Sequence, residues 1–433
     1  MYPHDVDRVG DNHTQVATLS LAIGAMGRMS EPESADRPLR VLFVDDEPHL
    51  LSGLRRMLRS ESKYWDLSFA TGAAEALALL RSCQFDVVIS DMRMDGMDGA
   101  ELLWRVRERN SATVRVVLSG QIEASSAVRA AGVAHQFLNK PTDPSTLRRA
   151  VSRTRVLEPC IGHTHLRRAL GGLDGLPSPM ATVQSLNAAL SDPTCDVDRI
   201  VRIVETDLGL SSKLLQLVNS AFFALPLEVA DLHGAVAGVG LENLRAMAKS
   251  NEVFRIWRGD ASFEPLAARL QAHSLRVVQL ARHILPSPRR PADLFLGSLF
   301  HDLGLLATAA VVPELFAALA CRASGPWALQ KERTILGTTQ GDIGAYLLCL
   351  WGMSDGAVEI VRYHHDRRGP TIVLDEADAV FLADAICAEV DDVPGHVVGL
   401  SDEAAEGLDV TDRVDEWRRY RDQLALDTTR NLP

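Results

Sequence analysis

The amino-acid sequence predicts an α/β domain built on a doubly wound, five-stranded parallel sheet, followed by an all-α domain. Between residues 38 and 157, five short apolar runs alternate with segments whose apolar positions recur at helical spacing, as strands and helices do in a parallel sheet. From residue 161 onward the chain shows amphipathic helical stretches without strand-like alternation. A length of 433 residues allows two or three domains.

The composition is that of an ordinary globular protein, with 46% hydrophobic and 24% charged residues. A formal charge of -12 argues against a broad nucleic-acid surface, so we expect no direct nucleic-acid binding. None of the six cysteines forms a CxxC pair, which indicates reduced thiols in a cytoplasmic protein. No apolar run approaches the roughly 20 residues needed to cross a bilayer, so no membrane partner is expected. Residues 1–37 are predicted to be a disordered leader.

The predicted strands are short and almost entirely apolar. The first ends at Asp45, and the central one begins at Phe85 and stops at Asp91. Helical spacing starts at Pro48, a residue suited to the first turn of a helix. The predicted strands cover residues 40–44, 65–70, 85–90, 114–118 and 136–138, and the predicted helices cover residues 48–58, 73–80, 100–109, 125–131 and 146–157.

Polar side chains stand at the carboxyl ends of four of these strands. Asp45, Asp46 and Asp91 would bring three carboxylates to one edge of the sheet, where their repulsion is costly unless a cation lies among them. Mg2+ prefers oxygen ligands and suits such a site together with a phosphate. Ser119 offers a hydroxyl group, and Lys140 offers a positive charge for a phosphoryl oxygen. Any one of these residues could simply be solvated, but together they indicate a site at which an aspartate forms an acyl phosphate.

The stretches that contain these residues resemble the receiver domain of bacterial two-component response regulators, over residues 38–157. The matching stretches are FVDDEP, VVISDMRMDGMDG, VVLSG and FLNKP. The resemblance implies that Asp91 accepts a phosphoryl group from a sensor histidine kinase or a phosphotransfer protein. One departure is Asp95, which stands where many receivers have Pro.

The resemblance also implies roles for the residues around Asp91. Asp46, Asp91 and the main-chain carbonyl of Arg93 would bind Mg2+, and Asp45 would assist them. Ser119 and Lys140 would contact the phosphoryl group. The aromatic Phe137 would act as the switch residue. Phosphorylation would then bias the face formed by the fourth and fifth strands and their helices. That change would alter contacts with the helical domain or with a second copy of the chain, so a homodimer is one expected partner state.

The all-α part divides into a linker over residues 158–175, a helical domain over residues 176–398 and a helical tail over residues 399–433. Continuous helices are predicted over residues 244–257 and 292–306, among others. A last helix over residues 411–424 is rich in charge and is expected to pack loosely or against a partner.

Several histidines and aspartates in the helical domain are typical of a metal centre. His273, the adjacent pair His301 and Asp302, and Asp384 match the H…HD…D pattern of HD-superfamily phosphohydrolases in order and rough spacing. His364 and His365 offer ligands for a second site. Such a set could hold a transition metal and activate water on a phosphoester. The alternative is a group of satisfied polar residues that only hold helices together.

Longer stretches of this domain resemble the HDOD family, whose domains are regarded as output modules without established catalysis. The matching stretches are LPSPMATVQSLNAAL, IVRIVETDLGLSSKLLQLVNSAFF, FLGSLFHDLGLL and GAYLLCLWGMSDGAVEIVRYHH. The related HD-GYP phosphodiesterases carry an HHE motif and a GYP triplet, whereas this chain has HHDRRGP from His364 to Pro370, and Gln340 stands where many relatives have His.

Two functions therefore stay open at this stage. The first is a response regulator in which phosphorylated Asp91 controls a helical domain that acts by binding a downstream signalling protein. The second is a receiver-controlled, metal-dependent phosphohydrolase or cyclic-dinucleotide phosphodiesterase of the HD type.

Overall fold

The computed structural model describes residues 37–120, 124–161, 163–219, 229–249, 253–259, 263–320, 327–365, 373–391, 393 and 399–430. Of the predicted leader, only Arg37 lies within these ranges, so the prediction of disorder there lies outside the described residues. Pro370 of the HHDRRGP stretch lies outside them as well.

The N-terminal domain contains a five-stranded parallel sheet in the order β2-β1-β3-β4-β5, which confirms the predicted fold class. Its strands are β1 (Leu39–Val44), β2 (Trp65–Ala70), β3 (Val87–Ser90), β4 (Val114–Ser119) and β5 (Gln136–Asn139). Helices follow in alternation: α1 (Pro48–Met57), α2 (Ala73–Ser82), α3 (Gly99–Arg109), α4 (Ala124–Ala131) and α5 (Pro144–Leu157). The chain reverses its direction across the sheet between β1 and β3, which is where open α/β sheets form their binding crevice.

The central strand β3 is buried at all four positions, which explains its uninterrupted apolar sequence. It starts two residues later than predicted, because the buried and apolar Phe85 precedes the strand without belonging to it. Helix α3 begins after Asp98, whose carboxylate accepts a hydrogen bond from the Glu101 backbone N–H and so caps the helix.

The C-terminal part is helical throughout its described residues, apart from short connections and an isolated parallel bridge between Ser178 and Ile256. Its first helices are α6 (Thr164–Gly171), α7 (Met180–Ser191), α8 (Val197–Val204), α9 (Leu208–Asn219), α10 (Leu232–Val239), α11 (Leu241–Lys249) and α12 (Phe263–Ile284). The remaining helices are α13 (Pro291–Phe300), α14 (Leu303–Val311), α15 (Pro313–Ala320), α16 (Trp327–Leu336), α17 (Gln340–Leu350), α18 (Asp355–Tyr363), α19 (Glu376–Ala388), α20 (Asp402–Gly407) and α21 (Thr411–Arg430).

Two predicted helices are wrong in extent. The helix expected over residues 292–306 is two helices, α13 and α14, which meet at His301 and Asp302. The break lets Gly304 pack so closely on α17 that a Cβ atom there would lie 1.9 Å from the Gln340 carbonyl oxygen. The helix expected over residues 244–257 ends at Lys249, and residues near Ile256 instead pair with the extended chain at Ser178.

The segment predicted as a linker, residues 158–175, is not an extended connection. It contains α6, and its leucines Leu166, Leu170 and Leu173 are buried in the main core. Gly171 approaches the N-terminal domain so closely that a Cβ atom would lie 2.5 Å from the Ser111 carbonyl oxygen. The two domains are therefore joined by a packed helix.

The last helix was expected to pack loosely or against a partner, and the first of these alternatives is wrong. Trp417 of α21 is fully buried in a second core cluster with residues of α12 and α19. Arg413 lies over its indole ring, 4.7 Å from the centroid, and Arg421 donates a hydrogen bond of 2.7 Å to the Ile386 carbonyl oxygen. The sequence concealed this packing because a single tryptophan stands among many charged residues.

In the described part of the chain, no single helix has the length and apolar composition needed to cross a membrane. The pair α13 and α14 meets that test jointly, by length and composition only, but is bent by about 40° at its break.

Substitution of two glycines by alanine tests the close packing of helix α3 on the end of strand β3. Gly99 lies at the start of α3, where a Cβ atom would sit 2.1 Å from the Asp91 carbonyl oxygen, whereas Gly53 of α1 has open space around it. We expect Gly99→Ala to lower the free energy of unfolding by about 1–3 kcal/mol through overpacking. We expect Gly53→Ala, the control, to raise it by about 0.5–1 kcal/mol because alanine favours helix. Urea unfolding measures both, and equal effects of the two substitutions would contradict the close approach.

Candidate functional site

Three carboxylates meet at the carboxyl edge of the sheet, as the strand ends predicted. Oxygen atoms of Asp45, Asp46 and Asp91 all lie within 4.8 Å of one another. The Lys140 Nζ atom lies 2.6 Å from Asp45 Oδ2 and 3.0 Å from Asp91 Oδ1. Ser119, the last residue of β4, is buried at the same edge. The structure therefore brings these five predicted residues to one edge.

The burial of this acidic site affects its protonation. Asp45 and Asp91 are buried, and burial raises the pKa of the Asp91 carboxyl although the Lys140 ammonium group acts against that rise. Lys140 pairs with two of the three carboxylates, Asp45 and Asp91, so these acidic side chains outnumber the ammonium group beside them. Oxygen donors with excess negative charge fit Mg2+, a hard cation that carboxylates bind.

The loop after β3 contains Arg93 and Asp95. The Asp95 backbone N–H donates a 2.9 Å hydrogen bond to Asp46 Oδ2, which ties the loop to one of the acidic residues. A proline at position 95 could not make this bond, because proline lacks a backbone N–H. Arg93 is exposed in this loop, and its carbonyl remains a predicted ligand. Phe137 is buried in β5 opposite Val117 of β4, and its switch role also stays a prediction.

A second polar cluster lies inside the helical domain. His273 comes from α12, His301 and Asp302 from the break between α13 and α14, and Asp384 from α19. These four side chains are completely or almost completely buried. His364 and His365 follow α18 and complete the cluster, so all six predicted residues of the helical domain converge.

Imidazole nitrogens and carboxylates face one another in this cluster. His273 Nε2 lies 3.0 Å from Asp384 Oδ1, and His301 Nε2 lies 3.2 Å from Asp302 Oδ2. His301 Nε2 is also 3.7 Å from Asp384 Oδ1, and His365 Nε2 is 3.2 Å from Asp384 Oδ2. Asp384 is therefore shared by three histidines from different parts of the chain.

The opposite ring nitrogens have fixed partners. His301 Nδ1 lies 2.7 Å from the Ser298 carbonyl oxygen, and His364 Nδ1 lies 2.7 Å from the Val361 carbonyl oxygen. These contacts require an Nδ1–H donor, so each ring presents Nε2 to the cluster. Outer contacts of this kind orient metal-binding histidines in proteins.

Asp391 and Gln340 also belong to the cluster. Sequence analysis did not include Asp391, and it noted Gln340 only as standing where many relatives have His. His273 Nδ1 lies 2.7 Å from Asp391 Oδ2, which gives a carboxylate–histidine pair. Burial acts against ionisation of Asp391, but His273 and the Arg276 guanidinium lower its pKa below the ordinary value. Sequence spacing gave no signal for Asp391, because it lies beyond the last residue of the H…HD…D pattern.

Gln340 links two members of the cluster. Its Nε2 atom lies 3.1 Å from Asp302 Oδ1 and 2.8 Å from His364 Nε2. Its Oε1 atom is buried and has no hydrogen-bond partner in the described part of the chain. An orphaned acceptor beside imidazoles and carboxylates fits a transition metal, which takes nitrogen and oxygen ligands.

The cluster borders an opening to the surface. A cavity of about 200 Å3 is lined by His364, His365, Thr339 and Arg362, among other residues. The predicted residues are thus buried but adjoin a cavity on their His364 side.

Comparisons with known families agree with both halves of the fold. The family model "Response regulator receiver domain" matches residues 41–152, and the model "HDOD domain" matches residues 176–367. This chain contains a response regulator receiver domain followed by an HDOD domain. The matched ranges place Asp45, Asp91 and Lys140 in the receiver domain and the pair His301 and Asp302 in the HDOD domain.

Individual relatives match parts of this chain. The hydrogenase transcriptional regulatory protein HoxA of Cupriavidus necator is 38% identical over 124 residues, 27% of this chain and 25% of that protein. An uncharacterized protein of Treponema pallidum is 26% identical over 206 residues, 45% of this chain and 38% of that protein. One solved structure is the signal receiver domain of an HD domain-containing protein from Pseudomonas fluorescens, which is 30% identical to the matched part of this chain. The match has a TM-score of 0.27 and covers 28% of this chain and 100% of that structure. The chain spans about a quarter of the length of the first curated relatives it matches.

The receiver domain docks on the HDOD domain through β4, β5 and their helices. Arg115 of β4 has no solvent exposure, and its Nη2 atom lies 2.6 Å from Oδ1 of Asp174, which belongs to the joining segment just before the matched HDOD domain. Arg115 also donates to the carbonyl oxygens of Val133 and Gly171, at 2.7 and 3.1 Å. Arg107 of α3 pairs with the second oxygen of Asp174 at 2.7 Å.

Lys213 of the HDOD helix α9 contacts the receiver domain from the other side of the interface. Its Nζ atom donates to the carbonyl oxygens of Ala131 and Asp174, at 2.5 and 2.7 Å, and to Gln216 Oε1 at 2.9 Å. Gln216 in turn donates to the His135 carbonyl oxygen at 3.0 Å. Lys213 and Gln216 are almost completely buried, so the interface excludes water from charged groups.

The edge of the interface is closed by further contacts. Gln136 of β5 donates to the Cys349 carbonyl oxygen at 3.0 Å, and Arg153 of α5 pairs with Asp355. Sequence analysis missed these interface residues. A charged residue inside an apolar strand, such as Arg115, was the signal that could have indicated them.

The buried lysine makes a prediction about pH. Burial lowers the pKa of Lys213 from 10.5 to about 8, while Asp174 acts against this shift. Between those pH values the unfolded chain binds a proton that the folded chain releases, so stability rises with pH. We therefore expect the free energy of unfolding of the wild type to rise relative to that of Lys213→Met between pH 8 and 10.5.

Urea unfolding at several pH values measures this difference. Lys249→Met removes an exposed lysine of the HDOD domain and serves as the control for loss of a lysine charge. Parallel stability curves for the wild type and Lys213→Met would contradict the prediction.

Proposed function

We propose that this response regulator receives a phosphoryl group on Asp91 and transmits the change to the HDOD domain through the docked face of β4 and β5. One observation carries the proposal: of the predicted phosphoryl contacts, Ser119 ends β4 and Lys140 directly follows β5, the two strands that dock on the HDOD domain. A shift of these strand ends therefore acts directly on the interface.

The reaction at Asp91 is a transfer between two nucleophiles. An Asp91 carboxylate oxygen attacks the phosphorus of a phosphohistidine in a sensor kinase or phosphotransfer protein, and the bond from histidine nitrogen to phosphorus breaks. Mg2+, which Asp45, Asp46 and Asp91 would hold, supplies positive charge for the phosphoryl oxygens. Lys140 lies close enough to Asp91 to contact the new group.

The added charge competes for existing contacts. Lys140 now bridges Asp45 and Asp91, and a phosphoryl group would bring roughly 1.5 to 2 further negative charges to this edge. The lysine and the Ser119 hydroxyl then gain a stronger acceptor, which draws the ends of β4 and β5 toward Asp91. Phe137, which lies in β5, is positioned to follow this movement.

The downstream step is an interaction of the HDOD domain with another signalling protein. The face of β4 and β5 is covered by the HDOD domain, so a receiver dimer through the same face requires undocking. We propose that phosphorylation shifts the balance between the docked and undocked arrangements by its difference in free energy between them.

Phosphorylation of Asp91 can be tested with acetyl phosphate and Mg2+. We expect the wild type to become phosphorylated and Asp91→Asn to remain unmodified, because the amide is not an adequate nucleophile. Asp95→Asn, an exposed aspartate of the same loop, is the control and should be modified like the wild type. Phosphate-affinity electrophoresis measures the modified fraction, and modification of Asp91→Asn would contradict the assignment.

A second function is favoured by the convergence of the histidine–aspartate cluster. We propose that His273, His301, Asp302 and Asp384 hold a transition metal, with Asp391 orienting His273. When bound, such a metal supplies an activated water for the hydrolysis of a phosphodiester. The adjoining cavity supports access from the His364 side.

Metal analysis by mass spectrometry tests this second function. We expect about one transition-metal ion per chain in the wild type and its loss in Asp302→Ala, because the carboxylate lies at the centre of the cluster. His283→Ala removes a histidine of the same helix as His273 that stacks on Tyr420 outside the cluster, and it should keep the metal. A metal-free wild type with an intact fold would leave protein interaction as the sole output of the HDOD domain.

A further inference from the structure

A basic pocket lies at the junction of the two domains, away from both sites described above. Trp104 and Arg107 of the receiver helix α3 form one side, and Arg255 and Arg258 of the HDOD domain form the other. Its volume of about 400 Å3 lies within the usual range for small-molecule sites, roughly 300–1,000 Å3. None of the described residues that line it is acidic.

The positive charge of the pocket is only partly neutralised. Arg107 pairs with Asp174, but the same carboxylate also serves the buried Arg115. Arg255 donates to the Gly172 carbonyl oxygen at 3.2 Å, and neither it nor Arg258 has an ion-pair partner in the described part of the chain. Burial lowers the pKa of Arg255, Asp174 acts against that shift, and the nearby Arg107 adds to it, so like charges are held close together.

The HDOD side of the pocket has a fixed backbone. The segment around Arg255 is held by two hydrogen bonds with Ser178, from Ser178 N to Arg255 O at 2.8 Å and from Trp257 N to Ser178 O at 2.9 Å. Trp257 also stacks on Phe263 with ring centroids 4.1 Å apart. The two arginines therefore extend from a segment that is ordered before any ligand binds, which reduces the entropy lost on binding.

Trp104 adds an aromatic surface to this charged pocket. Its side chain is 49% exposed, which is unusual for tryptophan in a folded domain. Exposed indole rings stack on planar bases, and guanidinium groups bind phosphate oxygens with paired hydrogen bonds. This combination distinguishes the pocket from a simple anion site.

We propose that this junction pocket binds a nucleotide, with its phosphate groups on Arg107, Arg255 and Arg258 and its base on Trp104. The ligand contacts both domains, so it binds the docked arrangement more tightly than the undocked one. By linkage, the nucleotide stabilises docking, and a phosphoryl group on Asp91 that weakens docking also weakens nucleotide binding. The pocket would thus add a second input to the response regulator.

Calorimetric titration of the full chain tests the proposal, with cyclic di-GMP, ATP and inorganic pyrophosphate as separate probes. EDTA is present so that a metal in the histidine–aspartate cluster makes no contribution. We expect saturable binding of at least one nucleotide, and binding about tenfold or more weaker in Arg258→Ala, because one charged hydrogen-bond donor is lost. Trp104→Ala should weaken nucleotide binding by about tenfold and leave pyrophosphate binding unchanged.

Arg105→Ala is the matched control, since this exposed arginine lies on the same helix and pairs with Glu101 outside the pocket. It should bind nucleotide like the wild type. Absence of nucleotide binding to the folded wild type, or equal losses in Arg105→Ala and Arg258→Ala, would overturn the site. Pyrophosphate binding as tight as that of every nucleotide would overturn the role of Trp104 and leave an anion site alone.

Discussion

The relation between the two domains depends on one buried ion pair, between Arg115 and Asp174. A guanidinium group without solvent exposure is tolerated only where oxygen atoms surround it, and here Asp174 and three main-chain segments provide them. Asp174 also accepts a hydrogen bond from Lys213 of the HDOD domain through its carbonyl oxygen, so a separation that carried Asp174 with Lys213 would break the buried pair, at a cost of about 3–5 kcal/mol. The domains are therefore expected to dock or separate as a whole, since a partial opening would leave a buried charge unpaired.

The same two strands connect this ion pair to the acidic site. Strand β4 carries Arg115 near its start and Ser119 at its end, while β5 follows His135 and precedes Lys140. The ladder of hydrogen bonds between β4 and β5 connects the two ends of these strands, and the proposed transmission from Asp91 to the interface would follow it. The proposed nucleotide pocket lies at the same junction. Phosphorylation of Asp91 and nucleotide binding would therefore both change the equilibrium between the docked and undocked domains.

The sequence was sufficient to predict the parallel sheet, because repeated alternation of an apolar strand and an amphipathic helix is compatible with few other chain topologies. The acidic site followed from the strand ends, since the carboxyl ends of parallel strands share one edge. The break at His301 and Asp302 could not be seen, because the apolar pattern continues through it on both sides. The interface was also missed, because Arg115 and Asp174 are 59 residues apart and no local pattern links them. Pairing across domains is a property of the tertiary fold alone.

Two departures from the family patterns are compensated by local hydrogen bonds. At position 95 the backbone N–H of aspartate holds Asp46, a contact that proline would remove. At position 340 the glutamine amide donates to both Asp302 and His364, where a metal-binding histidine would present a lone pair. The half of the cluster near His364 therefore contains an amide donor, and the Gln340 Oε1 atom there has no hydrogen-bond partner among the described residues. His273, His301 and Asp384 instead face one another directly. This asymmetry fits one cation better than two, because the second position has lost a ligand and gained a donor.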